Sequence, residues 1–375
     1  MVSSFSYAPM SPVQAPSPYR ARQERLRALM DTRHIPLILV TNLINVRYLT
    51  GFNGSAGTVL FGPRQGILWV DPRYTLQAQE QAEGVDVVEV KEGILKAAAR
   101  WLRNSEVREA TFESSILTVA QFDVLRRESG DGIAFKPAGG LIEELRLVKD
   151  RGEIEAIRCA GKVTAEVYME TLPYVRPGVL EQDLAAEIEY RMRKKGAERS
   201  AFETIVASGL RSAYPHARPS SKALRECELV IFDLGAILHG YAADMTRTVF
   251  LGEPTRRVQS LYSAVLKAQE GAVRCVHDSI PTADIDSAAR RILARHRLAR
   301  YFTHSTGHGV GLEIHERPRL GKGDTSSLRV GSVVPVEPGV YLEGFGGIRI
   351  EDTVLVGPKG PEILTPSSKS SWVIG

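Results

Sequence analysis

Four acidic residues occupy places where an isolated charge is expensive. Asp233 interrupts the apolar run VIFDLGA, Asp244 follows on the return segment, Glu337 lies inside VVPVEPGVY and Glu351 inside IRIEDTVLV. A carboxylate in a strand that otherwise reads as core is costly to desolvate alone. A structural ion pair accounts for any one of them, but all four together would need four unrelated partners. Pointed into one cavity they would repel one another and hold protons more tightly, and two divalent cations would neutralise their combined charge. His308 stands between glycines in STGHGVG, where backbone can approach closely with no Cβ in the way. Four carboxylates and one imidazole, without a thiolate, suit Mn²⁺ foremost, with Co²⁺ or Zn²⁺ as alternatives, rather than a soft-metal or cluster site. Oxygens shared between two such ions would hold them about 3.5–4 Å apart, the geometry of two-metal hydrolases.

These residues need elements to hold them. The segments LVIFDLGAILHGYAADMTRTVFL and VVPVEPGVYLEGFGGIRIEDTVLV read as two hairpins, turning near His239-Gly240 and over 344–347. Asp150, with Glu153 three residues on, predicts a capping box and a helix running to about Leu172, ended by Pro177-Gly178. A further helix over 181–195 shows Leu184, Ile188 and Met192 on one face, and its basic face reads as a solvated surface. Helices over 258–278 and 285–296 complete an α+β domain over 141–375, an antiparallel sheet backed by helices. Before it, the pattern predicts a helix over 20–32 and a buried strand over 36–40. A Gly-punctuated stretch, RYLTGFNGSAG, comes next, then strands TVLF and GILWV, helix TLQAQEQA, strand DVVEV and helix ILKAAARWLRN. That alternation predicts a smaller α/β domain over 20–140. FKPAGG (135–140) reads as a connector, and 1–19, rich in Ser, Pro and Ala, as a disordered extension.

The sequence resembles the "pita-bread" metallopeptidases, the family of methionine aminopeptidase, aminopeptidase P and prolidase. The residues that carry the resemblance are FDLGAILHGYAADMTRT, HSTGHGVGLEIHERP, VEPGVY and GGIRIED, with Asp233 and Asp244 eleven residues apart as the family's paired aspartates are. RYLTGFNGSAGTVLF, DPRYTLQA and the junction LIEELRLVKDRGEIEAIR resemble the creatinase-type N-terminal domain shared by aminopeptidase P, prolidase and creatinase. The resemblance implies a C-terminal pita-bread domain behind that smaller domain. It also implies a metal set of Asp233, Asp244, His308, Glu337 and Glu351, with Asp244 and Glu351 shared by two ions. Methionine aminopeptidase lacks the extra domain and creatinase lacks the ligands, so neither fits.

By the same resemblance His216, His304 and His315 line the active site, with Glu337 as a base and His216 and His315 contacting substrate or moving a proton. Imidazole suits that work because its ordinary pKa lies near neutrality. Arg349 either steadies the anionic cage or binds substrate. Arg319 stands where prolidase-like sequences carry an arginine for a dipeptide's carboxylate. The implied activity is Xaa-Pro aminopeptidase, with a hydroxide between two ions as nucleophile. Xaa-Pro dipeptidase (prolidase) is the close alternative, and a non-catalytic peptide-binding module of the same fold a remoter one. Proline-containing peptides are the expected partners.

Composition narrows the rest. With 375 residues, 43% hydrophobic and 25% charged, the chain is long enough for two domains and of ordinary globular make-up. A formal charge of +4 spread along the chain argues against a nucleic-acid binder. No apolar run approaches the roughly 20 residues of a membrane helix. Cys159, Cys227 and Cys275 are read as core thiols in a reducing compartment, hence a cytoplasmic protein. A homodimer is expected from the N-terminal domain's resemblance.

Overall fold

The computed structural model describes residues 17–375, so the expected extension over 1–19 lies, up to position 16, outside the described residues. The chain divides after Leu145 into two compact units.

In the first unit α1 (Pro18–Thr32) begins slightly before residue 20, because a proline in the first turn gives up only an N–H that no helix uses. β1 (Ile38–Val40) is wholly buried. The Gly-punctuated stretch contains α2 (Leu43–Thr50), which the sequence pattern does not announce. Asn42 caps it by accepting from the Ile44 N–H, and Gly51 ends it at φ 87°. Then come β2 (Thr58–Phe61), β3 (Gly66–Val70), α3 (Thr75–Gln81), β4 (Asp86–Glu89), α4 (Ile94–Asn104), β5 (Glu109–Glu113) and α5 (Val119–Ser129). FKPAGG is not a connector: Ala134–Ala138 forms β6, parallel to β5 and at the edge of a mixed sheet ordered β4-β3-β2-β1-β5-β6. An edge position tolerates Pro137, which cannot donate to a further neighbour. α6 (Leu141–Arg146) moves the division beyond residue 140, since the Tyr48 hydroxyl and the Arg25 guanidinium both donate to the Leu145 carbonyl.

The second unit opens with α7 (Arg151–Thr171), whose capping box of Asp150 and Glu153 forms as predicted. α8 (Glu181–Lys194) buries Leu184, Ile188 and Met192. β7 (Arg199–Ser200) and β8 (Ile205–Ser208) lead to the first hairpin: β9 (Leu229–Leu234), β10 (Ala236–Leu238), β11 (Tyr241–Ala242) and β12 (Met245–Leu251). Its turn is at His239 and Gly240, both with positive φ, the backbone a tight hairpin requires. After α9 (Arg256–Arg274) and α10 (Thr282–Arg295) come β13 (Gly307–Gly309) and β14 (Glu316–Leu320). β15 (Val333–Val336), β16 (Gly339–Leu342), β17 (Gly346–Arg349) and β18 (Asp352–Gly357) make the second hairpin, followed by β19 (Gly360–Ile363) and β20 (Val373–Ile374). Two main sheets result, β20-β12-β9-β8 and β14-β13-β15-β18-β19. α7 and α8 share one apolar core with the first, through Tyr168, Ile188, Phe232 and Val249. α9 and α10 share another with the second, through Val265, Ile285, Val336 and Val354.

The two hairpins are stitched together by polar groups. The Glu351 N–H donates to the Thr246 carbonyl, and Thr248 and Arg349 exchange two hydrogen bonds. Behind this seam Arg247, fully buried, donates to the Asp352 carboxylate at 2.7 Å and to the Thr246 and Glu351 carbonyls. Lys369 and Gln269 take the other oxygen of Asp352. Of the cysteines, Cys227 is exposed in a turn with φ 60°, so the core-thiol expectation fails there, and all three are unpaired. Among the described residues no helix is long and apolar enough to cross a membrane. Removing Arg247 leaves Asp352 short of a buried partner. Arg247→Ala should therefore lower stability by about 3–5 kcal/mol, read as a lower urea midpoint for the second unit; an unchanged midpoint would mean the seam does not depend on it.

Candidate metal centre

One cavity of about 730 Å³ in the second unit is lined by Asp233, Asp244, His308, Glu337 and Glu351, and also by His216, His304, His315, Arg319 and Arg349. All the residues singled out from sequence therefore meet in one place. Their settings differ from expectation in one respect. Only Asp233, on β9, and His308, on β13, lie within strands; Asp244, Glu337 and Glu351 stand immediately outside β12, β15 and β18. At strand ends the ladder is interrupted, and Pro338 after Glu337 has no N–H to continue it.

His308 reaches the cavity because its neighbours are glycine. A Cβ on Gly307 would lie 1.9 Å from the Pro335 carbonyl oxygen, and one on Gly309 2.2 Å from that of Arg317. Its Nδ1 lies 2.9 Å from the Gly309 carbonyl. A carbonyl can only accept, so Nδ1 carries the proton and Nε2 presents a lone pair. That Nε2 is 3.6 Å from Asp244 Oδ2 and 3.7 Å from Glu337 Oε1. Both distances are too long for hydrogen bonds, whereas donors about 2.1 Å from a shared ion stand roughly 3–3.5 Å apart.

The carboxylates are buried and mutually repelled. Burial, then the charges of Asp233 and Glu337, hold Asp244 well above the ordinary carboxyl range. Glu351 is raised by burial and by Asp244, Glu337 and Asp233. Glu337 is pushed up to about 8, chiefly by burial. One cation answers them: Arg349 Nη2 donates to Asp233 Oδ2 at 2.6 Å, its Nε reaches Thr246, and Thr246 donates to Glu351. Of the two roles weighed for Arg349, steadying the cage is the one its contacts describe. Oδ1 of Asp233 and Oδ1 of Asp244 remain buried with no hydrogen-bond partner among the described residues. Asp244, His308 and Glu351 each bring one donor atom within 4.8 Å of the others. Orphaned carboxylate oxygens beside an imidazole lone pair are what a divalent ion requires, so the residues present fit one.

The other histidines divide. His304 donates from Nδ1 to the Ser305 carbonyl and accepts at Nε2 from the Tyr341 hydroxyl, which itself accepts from Arg349. Burial holds its pKa down to about 4. His304 lines the cavity as expected, and with both nitrogens engaged it holds Tyr341 and, through it, Arg349. His216 and His315 are exposed on the cavity wall, and the His315 ring packs edge-on to that of His308. Arg319, exposed on β14, faces His308 across the ladder. Sequence reasoning missed Thr246 and Tyr341, although both lie inside the motifs ADMTRT and VEPGVY. It also missed the apolar wall of Phe202, Ile205, Ala217 and Ile314, for which no local signal exists.

Comparison with known proteins agrees with this geometry. Residues 155–358 match metallopeptidase family M24, and residues 22–148 match the creatinase/prolidase N-terminal domain. The structure superposes on an Xaa-Pro dipeptidase from Bacillus anthracis with a TM-score of 0.92 and 37% identity, covering 95% of this chain and all of that one. An X-Pro aminopeptidase from Thermotoga maritima gives 0.87 and 36%, covering 94% of this chain and all of that one. The Xaa-Pro dipeptidase of Pyrococcus furiosus is 34% identical over 351 residues, 93% of this chain and 99% of that protein.

The shifted groups make a test without substrate. An acid whose pKa is raised by folding binds protons that the unfolded chain has released, so stability falls as pH rises toward the folded value. His304 and His308, lowered from 6.5 to about 4, act oppositely but only below 6.5. Between about pH 6.5 and 8 only the acids contribute, Glu337 marking the upper end. The metal-free protein should melt lower at pH 8 than at pH 6.5. Added Mn²⁺ should raise the melting temperature most at pH 8 and release protons, measured by scanning fluorimetry and by titration calorimetry in two buffers. A pH-independent melting temperature would deny the cluster its repulsion.

Proposed function

Because the chain belongs to metallopeptidase family M24, a metallo-exopeptidase family in its Xaa-Pro-cleaving branch, we propose that it is an Xaa-Pro dipeptidase, splitting the bond between an N-terminal residue and a C-terminal proline. The sequence alone favours the aminopeptidase slightly. The dipeptidases among its relatives, and Arg319, support the other reading. Membership implies divalent metal ions, and with them the non-catalytic alternative is set aside. In this proposal Asp233, Asp244, His308, Glu337 and Glu351 would hold two ions, Mn²⁺ foremost. When bound, the ions polarise the scissile carbonyl and acidify water.

The chain's own residues do the rest. Glu337, whose carboxyl would give up its proton on holding a metal ion, can then accept a proton from water and return it to the leaving proline nitrogen. A leaving amine must gain that proton, and Glu337 therefore serves as base and then as acid. His315 and His216 offer hydrogen bonds to the carbonyl oxygen as negative charge builds there. Phe202, Ile205, Ala217 and Ile314 offer a proline ring an apolar wall. The observation that carries the dipeptidase reading is Arg319. Arg319 lines the cavity and is paired with His308 on the neighbouring strand, where its guanidinium can meet a free C-terminal carboxylate as a bidentate pair. The likeness to the Thermotoga maritima X-Pro aminopeptidase keeps the aminopeptidase as the second reading. We also propose a cytoplasmic setting, supported by three unpaired cysteines, and a homodimer, supported by the likeness of the N-terminal domain.

With Mn²⁺, Ala-Pro should be cleaved at least tenfold faster than Ala-Pro-Ala, and Met-Ala-Ser left intact; a preference for the tripeptide would restore the aminopeptidase. Arg319→Ala should lower kcat/KM for Ala-Pro by about 10- to 100-fold, the worth of a charged hydrogen-bonded pair, and spare Ala-Pro-Ala. Equal losses would remove Arg319 from carboxylate binding. Asp244→Ala or Glu351→Ala should abolish hydrolysis in either case.

A further inference from the structure

The junction segment LRLVK carries two cations that the proposed reaction does not use. Arg146 and Lys149 are both buried, their side chains 3% and 1% exposed. They converge on Glu316, the residue after His315, itself buried with a side chain 6% exposed. Glu316 Oε1 accepts from Arg146 Nη2 at 2.5 Å and from the Glu313 backbone N–H at 3.1 Å, while Oε2 accepts from Lys149 Nζ at 3.2 Å. The same Arg146 Nη2 donates to Glu313 Oε2 at 2.7 Å. One guanidinium therefore grips both ends of the segment 313–316, whose middle residues, Ile314 and His315, line the cavity. The loop closes tightly on the Glu316 carboxylate, for a Cβ on Gly311 would lie 2.7 Å from Oε1. The Lys149 N–H donates to the Gly331 carbonyl, and the Gly331 N–H to the Val356 carbonyl, so the grip is anchored through β18.

We infer that Arg146, with Lys149, is a positioning residue: by clamping Glu313 and Glu316 it sets the direction of His315 and Ile314 toward bound substrate. A buried ion cluster adds little net stability over apolar packing of the same volume, and a rigid guanidinium fork adds fixed direction. The two cations balance the two acids, so the clamp carries no net charge into the metal site beside it. Both acids accept from Nη2, which the rigid guanidinium plane fixes in position; lysine in place of Arg146 would keep the charge on a flexible stem without that plane. The inference rests on the peptidase reading for its consequence in catalysis, but not for its geometry.

The experiment is a double-mutant cycle on the metal-loaded protein, with Ala-Pro as substrate. Arg146→Gln should lower kcat/KM about 10- to 100-fold, the size of effect that slight misplacement of a reacting group produces, with metal content unchanged. Arg146→Lys should recover part of it. In a His315→Ala background, Arg146→Gln should cost almost nothing more. Losses that multiply, or a fully active Arg146→Gln, would overturn the inference. If Arg146→Gln does not fold, Glu313→Gln, which frees one end of the segment near the surface, should show a smaller loss with the same dependence on His315. A parallel readout needs no activity. Read on the protein loaded with diamagnetic Zn²⁺, the His315 Cε1–H resonance should be single and narrow in the wild type, and broadened or doubled in Arg146→Gln or Glu313→Gln; an unchanged line would also overturn the clamp. A wild type that cleaves no Xaa-Pro peptide but shows this spectral change would sink the activity reading and leave the clamp standing.

Discussion

Asp233, Asp244, Glu337 and Glu351 are withdrawn from water into a single cavity, and no arrangement of the second unit makes sense until their repulsion is answered. Burial and proximity together lift Asp244, Glu337 and Glu351 above the ordinary carboxyl range. Arg349 answers one charge, at Asp233. Asp233 and Asp244 each keep one oxygen without a hydrogen-bond partner among the described residues, and an imidazole lone pair faces the cluster. That imbalance is tolerable in a protein that binds divalent cations and costly in one that does not. The surrounding fold supplies the restraint. Three of the acids stand just outside strands, Arg247 and Asp352 lock the backbone directly behind Glu351, and two glycines let His308 approach.

The histidines show how one side chain is given different work by its surroundings. At His308 a backbone carbonyl fixes the proton on Nδ1, and burial keeps the ring neutral, so a lone pair faces the acids. At His304 the same Nδ1 arrangement leaves Nε2 facing Tyr341, and the ring becomes one link in a chain running through Tyr341 and Arg349 to Asp233. His315 and His216 stay on the cavity wall where a peptide can reach them. Residue type decides what each ring can do; its hydrogen bonds decide what it does.

The outer wall of the cavity follows a different logic. Arg319 comes from β14 and Ile205 from β8, while Phe202, Ala217 and Ile314 come from loops, segments whose direction is set by what lies beneath them. Glu316 is the clearest case. It is an acid next to a cavity-lining histidine and borders the same cavity. In the structure it is neutralised by Arg146 and Lys149 and turned to holding its neighbours in place.

Much of this was written in the one-dimensional chain. Acids inside apolar runs, a histidine flanked by glycines and the Asp150–Glu153 capping box depend on neighbours within a few residues, so their meaning survives without a fold. Of the segments misread, α2 is bounded by local caps at Asn42 and Gly51 hidden in a Gly-punctuated stretch, whereas β6 exists because β5 lies beside it, and a proline and two glycines conceal it locally. The same division runs through the site. Residue chemistry and spacing singled out four acids, with two cations' worth of negative charge, and one histidine as candidate ligands, and the motifs around them carry the resemblance to a peptidase family. Only the tertiary structure decided that Arg349 braces the cage, that His304 is spent on Tyr341, that Arg319 stands opposite His308 and that Arg146 reaches Glu316. Those pairings join residues from 11 to 170 positions apart, and a contact's direction and length exist only once both ends are placed in space.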